Sequence, residues 1–344
     1  MDTVIAQLRE KQDLATREVE AAAEFLLDEK ANVEKKAELL ESLSRKGETA
    51  GEIADFVTMF LEKAVKPVFS DWSFDGPTID VCGTGGDKLD LFNVSTTSMF
   101  VVAAAGATVI KHGNRGITSQ SGGADVLEAL GVDIELSSEE VGHKLKEAGV
   151  GFLFAPQYHP AFRAVVPVRK MLAEKGVRTI FNLMGPLLNP AQPECQLVGV
   201  YDENWCPVFA EILQRLGRDS AWVVNGKTQE GKVVDEVSLM GPTRICKGGS
   251  FQGIEDEEIS PEEFGFSLAR VEQLSGGDAR ENAAILEAVL RGEETGPKAE
   301  MVALNAGAAI ACAGLADHLE DGIVIAREIL REGEGYRRLE RLRS

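Results

Sequence analysis

The chain has 344 residues, enough for one large domain or two moderate ones, and its apolar fraction of 44% suffices to bury a core. Its 36 lysines and arginines face 56 aspartates and glutamates, and the resulting net charge of −20 argues against nucleic acid and anionic membranes as partners. An anionic ligand would have to be held by local positive groups against an unfavourable global field.

Residues 1–66 read as all-helical. Thr49 and Glu52 have capping-box spacing, after which Ile53, Phe56, Val57, Phe60 and Leu61 recur at helical intervals. Earlier helices are expected over 21–28 and 33–44, with Lys46-Gly47-Glu48 as the break. Residues 67–77 carry Pro, Gly and aromatics and read as a linker. From Thr78 the pattern becomes strand, loop, helix, repeated. Strands are expected at 78–82, 107–110, 151–154, 196–201, 220–224 and 232–238. Helices are expected at 95–105, 124–130, 138–148, 160–174, 205–216, 278–291, 298–313 and 320–332. The acidic run Glu255-Asp256-Glu257-Glu258 reads as a solvated loop.

This alternation gives an α/β fold class: a small all-helical domain plus a large α/β domain with a central mixed, largely parallel sheet flanked by helices. Residues 160–190 interrupt the alternation and are expected to pack back onto the N-terminal helices. The domains then run 1–70, completed by 160–190, and 76–159 with 191–344, with hinges near 67–77 and 155–195. The five cysteines (Cys82, Cys195, Cys206, Cys246, Cys312) are odd in number, scattered and without a C-x-x-C pair, so neither a zinc site nor a disulfide framework is indicated. A reduced, cytoplasmic protein is expected. The N-terminus shows no basic-then-apolar signal pattern, and the longest nearly apolar run, 99–110, is too short to span a bilayer.

Three phosphate-compatible turns fall between Val81 and Leu130. Gly83-Thr84-Gly85-Gly86-Asp87 ends the first predicted strand. It is neither G-x-G-x-x-G nor a Walker loop, and such glycines serve packing as often as anions. Asp87 either orients ribose hydroxyls or caps the turn. Asn93-Val94-Ser95-Thr96 opens a helix with more polar side chains than one N-cap requires; the surplus suits phosphate oxygens, and a serine hydroxyl can ligate Mg²⁺. Lys111-His112-Gly113-Asn114-Arg115 ends the second strand and supplies local positive charge where open α/β sheets bind ligands. His112 is a weak candidate for catalysis and equally a backbone-bonded structural residue. These turns point to a polyphosphorylated small molecule. Far downstream, Asp235-Glu236 are either one exposed and one turn-capping residue or, near a polyphosphate, Mg²⁺ ligands. Arg169, in an apolar helical context, needs a carboxylate from the protein or from a substrate. His143, His159 and His318 have no companions that suggest a ligand set and are read as structural.

Together these motifs resemble the anthranilate phosphoribosyltransferase family. The resemblance rests on Gly83-Thr84-Gly85-Gly86-Asp87, Phe92-Asn93-Val94-Ser95-Thr96, Lys111-His112-Gly113-Asn114-Arg115, SGGADVLEALG at 121–131, Val168-Arg169, TIFNLMGPLLNP at 179–190 and Asp235-Glu236. Lys46-Gly47-Glu48-Thr49, Glu281-Asn282-Ala283 and Leu304-Asn305-Ala306 extend it over the whole chain. It implies transfer of the phosphoribosyl group of phosphoribosyl pyrophosphate (PRPP) to the amine of anthranilate, in tryptophan biosynthesis, with Mg²⁺ and a homodimer formed through the helical domain. It implies PRPP contacts from Gly83, Gly86, Asp87, Asn93, Val94, Ser95, Thr96, Lys111, His112, Gly113, Asn114, Arg115, Ser119 and Gly123. Anthranilate contacts are implied for Gly83, Asn114 and Arg169, and Mg²⁺ binding for Ser95, Asp235 and Glu236. The chain departs from the family pattern at Lys88, Leu91 and Gly116; Leu91 stands where a threonine would touch PRPP, and Lys88 offers a replacement cation. The alternatives are a pyrimidine nucleoside phosphorylase-like enzyme, which would need neither PRPP nor Mg²⁺, and a non-catalytic ligand-binding paralogue.

Overall fold

The computed structural model describes residues 1–68, 73–86, 89–116 and 120–344. Part of the linker (69–72), Asp87, Lys88 and Ser119 therefore lie outside the described residues. The chain begins with four helices, α1 Asp2–Arg9, α2 Thr16–Leu27, α3 Val33–Lys46 and α4 Ala50–Glu62. The capping box at Thr49 is formed: the Glu52 N–H donates to Thr49 Oγ1 at 3.2 Å, and the Thr49 N–H to Glu52 Oε2 at 2.9 Å. Lys46 pairs with Glu52 at 2.7 Å, both side chains 2% exposed, so the turn after α3 is closed by a buried ion pair. Two expectations needed correction here. Helix α1 was not anticipated, and α2 starts five residues before the expected 21, because its first turn, Thr16 to Glu20, is largely polar and carries little hydrophobic periodicity.

The strands are β1 Thr78–Gly83, β2 Thr108–Gly113, β3 Val150–Phe154, β4 Cys195–Gly199, β5 Ser220–Lys227, β6 Val233–Val234, β7 Thr243–Gly249 and β8 Glu255–Ile259. They form one sheet in the order β3-β2-β1-β4-β5-β7-β8, with β6 paired to β5. The stretch from β3 to β5 is parallel and the β5, β6, β7 and β8 pairings are antiparallel, so the sheet is mixed and its larger part parallel. From β1 the chain winds outward to β2 and β3, then returns to β4 on the other side of β1. The C-terminal ends of β1 and β4 thus flank a topological switch point, where open α/β sheets have their crevice.

Helices α5 Val94–Ala104, α6 Gly123–Ala129 and α7 Ser138–Ala148 connect the first three strands. Between β3 and β4 come the short α8 Ala155–Tyr158, a 3₁₀ turn Pro160–Val165, helix α9 Val166–Glu174, and further 3₁₀ turns at Ile180–Asn182 and Gly185–Leu187. The single helix expected over 160–174 is therefore split. Pro167 sits in the first turn of α9, where its missing N–H costs nothing, and the preceding turn is 3₁₀. Val165, Val168, Leu172, Ile180 and Phe181 join Leu40, Phe56 and Phe60 of the N-terminal helices in one apolar cluster, which continues into Phe209 of the helix Trp205–Arg215 and into Val198 and Val223 on one face of the sheet. The opposite face is covered by α5 and by the C-terminal helices Pro297–Cys312 and Glu334–Arg343.

The acidic run at 255–258 is a further correction. It forms β8, an edge strand whose backbone pairs with β7 while its side chains stay exposed. Asp256 meets Arg244 at 2.7 Å and Glu257 meets Lys247 at 2.6 Å, and charges of this kind discourage further pairing at a sheet edge. Strand β7 and the terminal helix Glu334–Arg343 were also unanticipated, the first for its glycines and basic residues, the second for its low apolar content. The strand expected at 232–238 shrinks to β6, after which the chain runs on without ladder partners towards the switch point. Among the described residues, no helix is long and apolar enough to cross a membrane.

Candidate active site

Gly83 is the last residue of β1 and pairs with Gly199 at the end of β4. Both must be glycine because Asp235 lies across them: a Cβ on Gly83 would sit 2.6 Å from Asp235 Oδ2, and one on Gly199 would sit 1.6 Å from the Asp235 carbonyl oxygen. The turn that follows passes through Gly85 at φ 69° and Gly86 at φ 97°, a region open to glycine. The Gly85 N–H donates to Asp235 Oδ2 at 2.6 Å. The first glycine turn and the distant Asp235-Glu236 pair thus meet at the switch point.

Helix α5 starts beside them. Its N-cap, Asn93, makes no side-chain cap bond. Instead Asn93 Oδ1 accepts from Ser121 Oγ at 3.2 Å and from Asn282 Nδ2 at 2.9 Å. Ordinary capping therefore does not account for Asn93. The Val94 N–H is engaged by the Phe92 carbonyl at 2.7 Å and its side chain is in the core, which leaves Val94 a backbone position only. The Thr96 side chain is buried against the start of α6, 3.1 Å from where a Gly123 Cβ would stand. Lys111 is 5% exposed; its ammonium donates to the Val81 carbonyl and to Ser95 Oγ, the latter at 3.3 Å. This buried cation joins β1, β2 and the first turn of α5.

The rest of the second motif is disposed differently. Gly113 is packed so closely that a Cβ would approach Phe152 to 2.9 Å. Asn114 is exposed, and its Oδ1 accepts from the Arg115 N–H at 2.8 Å. The Arg115 guanidinium turns to α6, where it grips Glu128 and lies 3.6 Å from Asp125. Its charge is thereby offset by two acids. Asp125 also accepts from the N–H groups of Gly116 and Gly122, both at 2.8 Å, so it ties together the two sides of that loop. His112 has a buried Nε2 with no partner among the described residues, and its ring is 5.3 Å from that of His159. Burial first, then His159, push its pKa down to about 3, so the imidazole is neutral near pH 7. His159 donates to the Leu188 carbonyl at 2.8 Å.

Arg169 of α9 is partly buried, with its guanidinium carbon 5.5 Å from the centre of the Phe181 ring. Burial lowers its pKa, and among the described residues no carboxylate pairs with it. An aromatic face beside an unpaired guanidinium suits a small aromatic acid.

Several residues that hold this arrangement were not singled out as site residues in the sequence. Asn282 donates to both Asn93 and Ser121, the latter at 2.8 Å. Asn305 accepts from the Val237 N–H at 2.8 Å and donates to the Val237 carbonyl at 2.8 Å, fixing the segment just after Asp235-Glu236. Asp80 and Asn189 are fully buried; Asn189 Nδ2 donates to Asp80 Oδ2 at 2.9 Å and to the Ile110 carbonyl at 2.8 Å. Their signal in the sequence is an Asn or Asp among apolar neighbours, which a buried strand or helix retains only with partners.

Among the described residues no three His, Cys, Asp or Glu side chains converge into a cage for a metal ion. Two adjacent carboxylates at a strand end, beside a glycine turn and a helix start, nevertheless fit Mg²⁺. That ion is commonly held by one or two carboxylates while phosphates and water complete its shell.

A family model described as "Glycosyl transferase family, a/b domain" matches residues 75–336. A relative from Desulfatibacillum aliphaticivorans, named anthranilate phosphoribosyltransferase, is 42% identical over 331 residues, covering 96% of this chain and 94% of its own. One of the same name from Rubrobacter xylanophilus is 44% identical over 328 residues, covering 95% and 92%. Among solved structures, an anthranilate phosphoribosyltransferase from Thermus thermophilus superposes with a TM-score of 0.88 at 41% identity, covering 100% of this chain and 98% of its own. The Saccharomyces cerevisiae enzyme, solved in complex with PRPP and Mg, gives a TM-score of 0.84 at 25% identity, covering 99% and 97%.

Proposed function

The chain belongs to the anthranilate phosphoribosyltransferase family, and from that premise we propose that it transfers the phosphoribosyl group of PRPP to the amine of anthranilate, giving N-(5-phosphoribosyl)anthranilate and pyrophosphate. The observation that carries the reading is the meeting of the Gly83–Gly86 turn, the first turn of α5, Lys111 and Asp235 at one switch point. The amine nitrogen bonds to C1 of the ribose while the bond from C1 to the pyrophosphate oxygen breaks, and the amine proton leaves to solvent. Negative charge grows on the leaving oxygens. Lys111 and the N-terminus of α5, with Ser95 and Thr96, face that charge from a preorganised frame. Gly83, Gly86, Asn93, Gly113 and Gly123 shape the donor site, and Asp87 and Ser119 complete it. Ser95, Asp235 and Glu236 hold Mg²⁺, which when bound neutralises pyrophosphate charge. Asn114 and Arg169 receive anthranilate, the guanidinium taking its carboxylate. An aromatic amine is neutral at pH 7 and needs no strong base, which agrees with a buried His112 that is only a weak one.

The 1–70 helices with 160–190 form one lobe and 76–159 with 191–344 the other, hinged near 67–77 and 155–195. The helical lobe pairs two copies into a homodimer, and the protein works in the cytoplasm. The reading is tested by incubating purified protein with PRPP, Mg²⁺ and anthranilate and following loss of anthranilate fluorescence. Turnover is expected only with all three. Activity that survives complete chelation, or phosphorolysis of a pyrimidine nucleoside in its place, would overturn it.

A further inference from the structure

The Gly83–Gly86 turn is also held from a side that the proposed substrate contacts do not use. The Thr84 N–H donates to the Gly199 carbonyl at 2.9 Å. The Tyr201 N–H donates to Thr84 Oγ1 at 3.1 Å, and a Cβ on Gly86 would stand 3.9 Å from Tyr201 Cβ. Tyr201 is therefore tied to the turn by its backbone N–H, with its side chain beside Gly86. Over its ring, 4.5 Å from the centre, lies the guanidinium carbon of Arg178. Arg178 comes from the segment after α9, just ahead of the 3₁₀ turn Ile180–Asn182 whose Phe181 ring faces Arg169. In a chain with 56 acidic residues, this exposed arginine is in none of the ion pairs among the described residues and rests on an aromatic face.

We propose that Arg178 is a positioning residue for the phosphoribosyl donor: stacked on Tyr201, it pins the Gly83–Gly86 turn to the segment that carries the Arg169–Phe181 pair. The inference rests on the donor reading of that turn. A turn fixed in advance loses less freedom when it closes on a pyrophosphate, so the contact acts on donor affinity. A cation–π contact at an exposed site corresponds to a change of roughly two- to fivefold in an equilibrium constant. Arg178 is not placed against the reacting atoms, so kcat should change little.

The test is a double-mutant cycle on the full chain, with KM measured separately for PRPP and anthranilate. Arg178→Met keeps the stem and removes the charge. Tyr201→Leu keeps the Cβ against Gly86 and the N–H to Thr84, and removes the ring. Each single variant should raise KM for PRPP about two- to fivefold, leave KM for anthranilate and the melting temperature near those of the unsubstituted enzyme, and combine without a further increase. Tyr201→Phe should behave like the unsubstituted enzyme. Multiplying effects, an unchanged KM for PRPP in Arg178→Met, or equal rises for both substrates would overturn the proposal. Should Tyr201→Leu fail to fold, the exposed Arg178→Met decides by the two KM values alone. Absence of turnover in the unsubstituted enzyme would overturn the donor reading, whereas turnover with unaltered variants would overturn the role of Arg178 only.

Discussion

Arg169 presents a partly buried guanidinium that no carboxylate of the described residues neutralises, beside the Phe181 ring. A charge left in this state is costly unless a ligand pairs with it. If anthranilate supplies the partner, Arg169→Ala removes a charge-assisted hydrogen bond to a carboxylate, typically ~1.5–3 kcal/mol, and should raise KM for anthranilate about ten- to hundredfold with little change for PRPP. Steady-state kinetics in both substrates checks this, and parallel rises would count against it. Two other buried groups give opposite pH signatures. Folded His112 titrates at about 3 and the unfolded imidazole at 6.5, so between these values the unfolded chain holds the extra proton. The stability His112 contributes is present above the unfolded pKa and is lost as pH falls towards 3. Burial raises Asp80 to about 6 against 3.8 unfolded, with Lys111, Asn189 and Arg218 pulling the other way. Between 3.8 and 6 the folded chain holds the extra proton on Asp80, so that contribution falls as pH rises. The two partly cancel. Asp80→Asn should therefore lose stability more steeply between pH 6 and pH 4 than the unsubstituted protein, as read from urea midpoints at each pH. An unchanged slope would mean that Asp80 is not protonated in that range.

At the scale of elements, the crevice depends on two strand ends that tolerate no side chain. Gly199→Ala would place a Cβ 1.6 Å from the Asp235 carbonyl oxygen, so the segment after β6 must shift. Overpacking of this kind costs ~1–3 kcal/mol. The shift carries the carboxylates with it, so the Mg²⁺ concentration for half-maximal activity should rise severalfold, whereas Gly185→Ala, with nothing within 4 Å, should leave it unchanged. A Mg²⁺ titration of the two variants decides. Asn305→Ala tests the same segment from the helix side. It strands the Val237 N–H and carbonyl, with a penalty of ~1–3 kcal/mol for a buried unsatisfied group. The strand-loop-helix alternation of 78–154 was legible in the sequence because buried parallel strands and capped helices each leave a periodic trace. The partners of Asn93, Asp80 and Asn305 were not. They lie up to 189 positions away, and a polar residue in an apolar run does not say which distant group satisfies it. Edge strand β8 was lost because its charges face water and only its backbone is in the sheet. The acids that offset the Arg115 charge were not legible either, because they lie on the next helix, 10 and 13 residues on, beyond any local pattern.

For the whole molecule, the excess of acids and the packing of the 160–190 segment on the N-terminal helices act together. A net charge of −20 repels a polyphosphate at long range, yet screening confines that repulsion to about 8 Å at physiological ionic strength. If Lys111 and Arg169 contact the substrates as proposed, they act within that distance. The placement of Arg169 depends on the helical layer, because the apolar cluster is continuous from Phe56 and Phe60 through Leu172 and Phe181 to Phe209 of the helix Trp205–Arg215 and Val198 and Val223 of the sheet. A shared core resists separation of the layers, since parting them would expose apolar surface at roughly 25 cal/mol per Å². The N-terminal helices are then part of the folding unit of the sheet and are not an appendage. A chain beginning at residue 63 would strip α4 from the helix Trp205–Arg215 and α2 and α3 from the 160–174 segment, exposing apolar surface of the kind that drives association. It should accumulate as aggregate, while the full chain should unfold in one transition with far-UV and near-UV signals coincident. A soluble truncated chain with native near-UV signal, or two separated transitions in the full chain, would show that the layers fold independently.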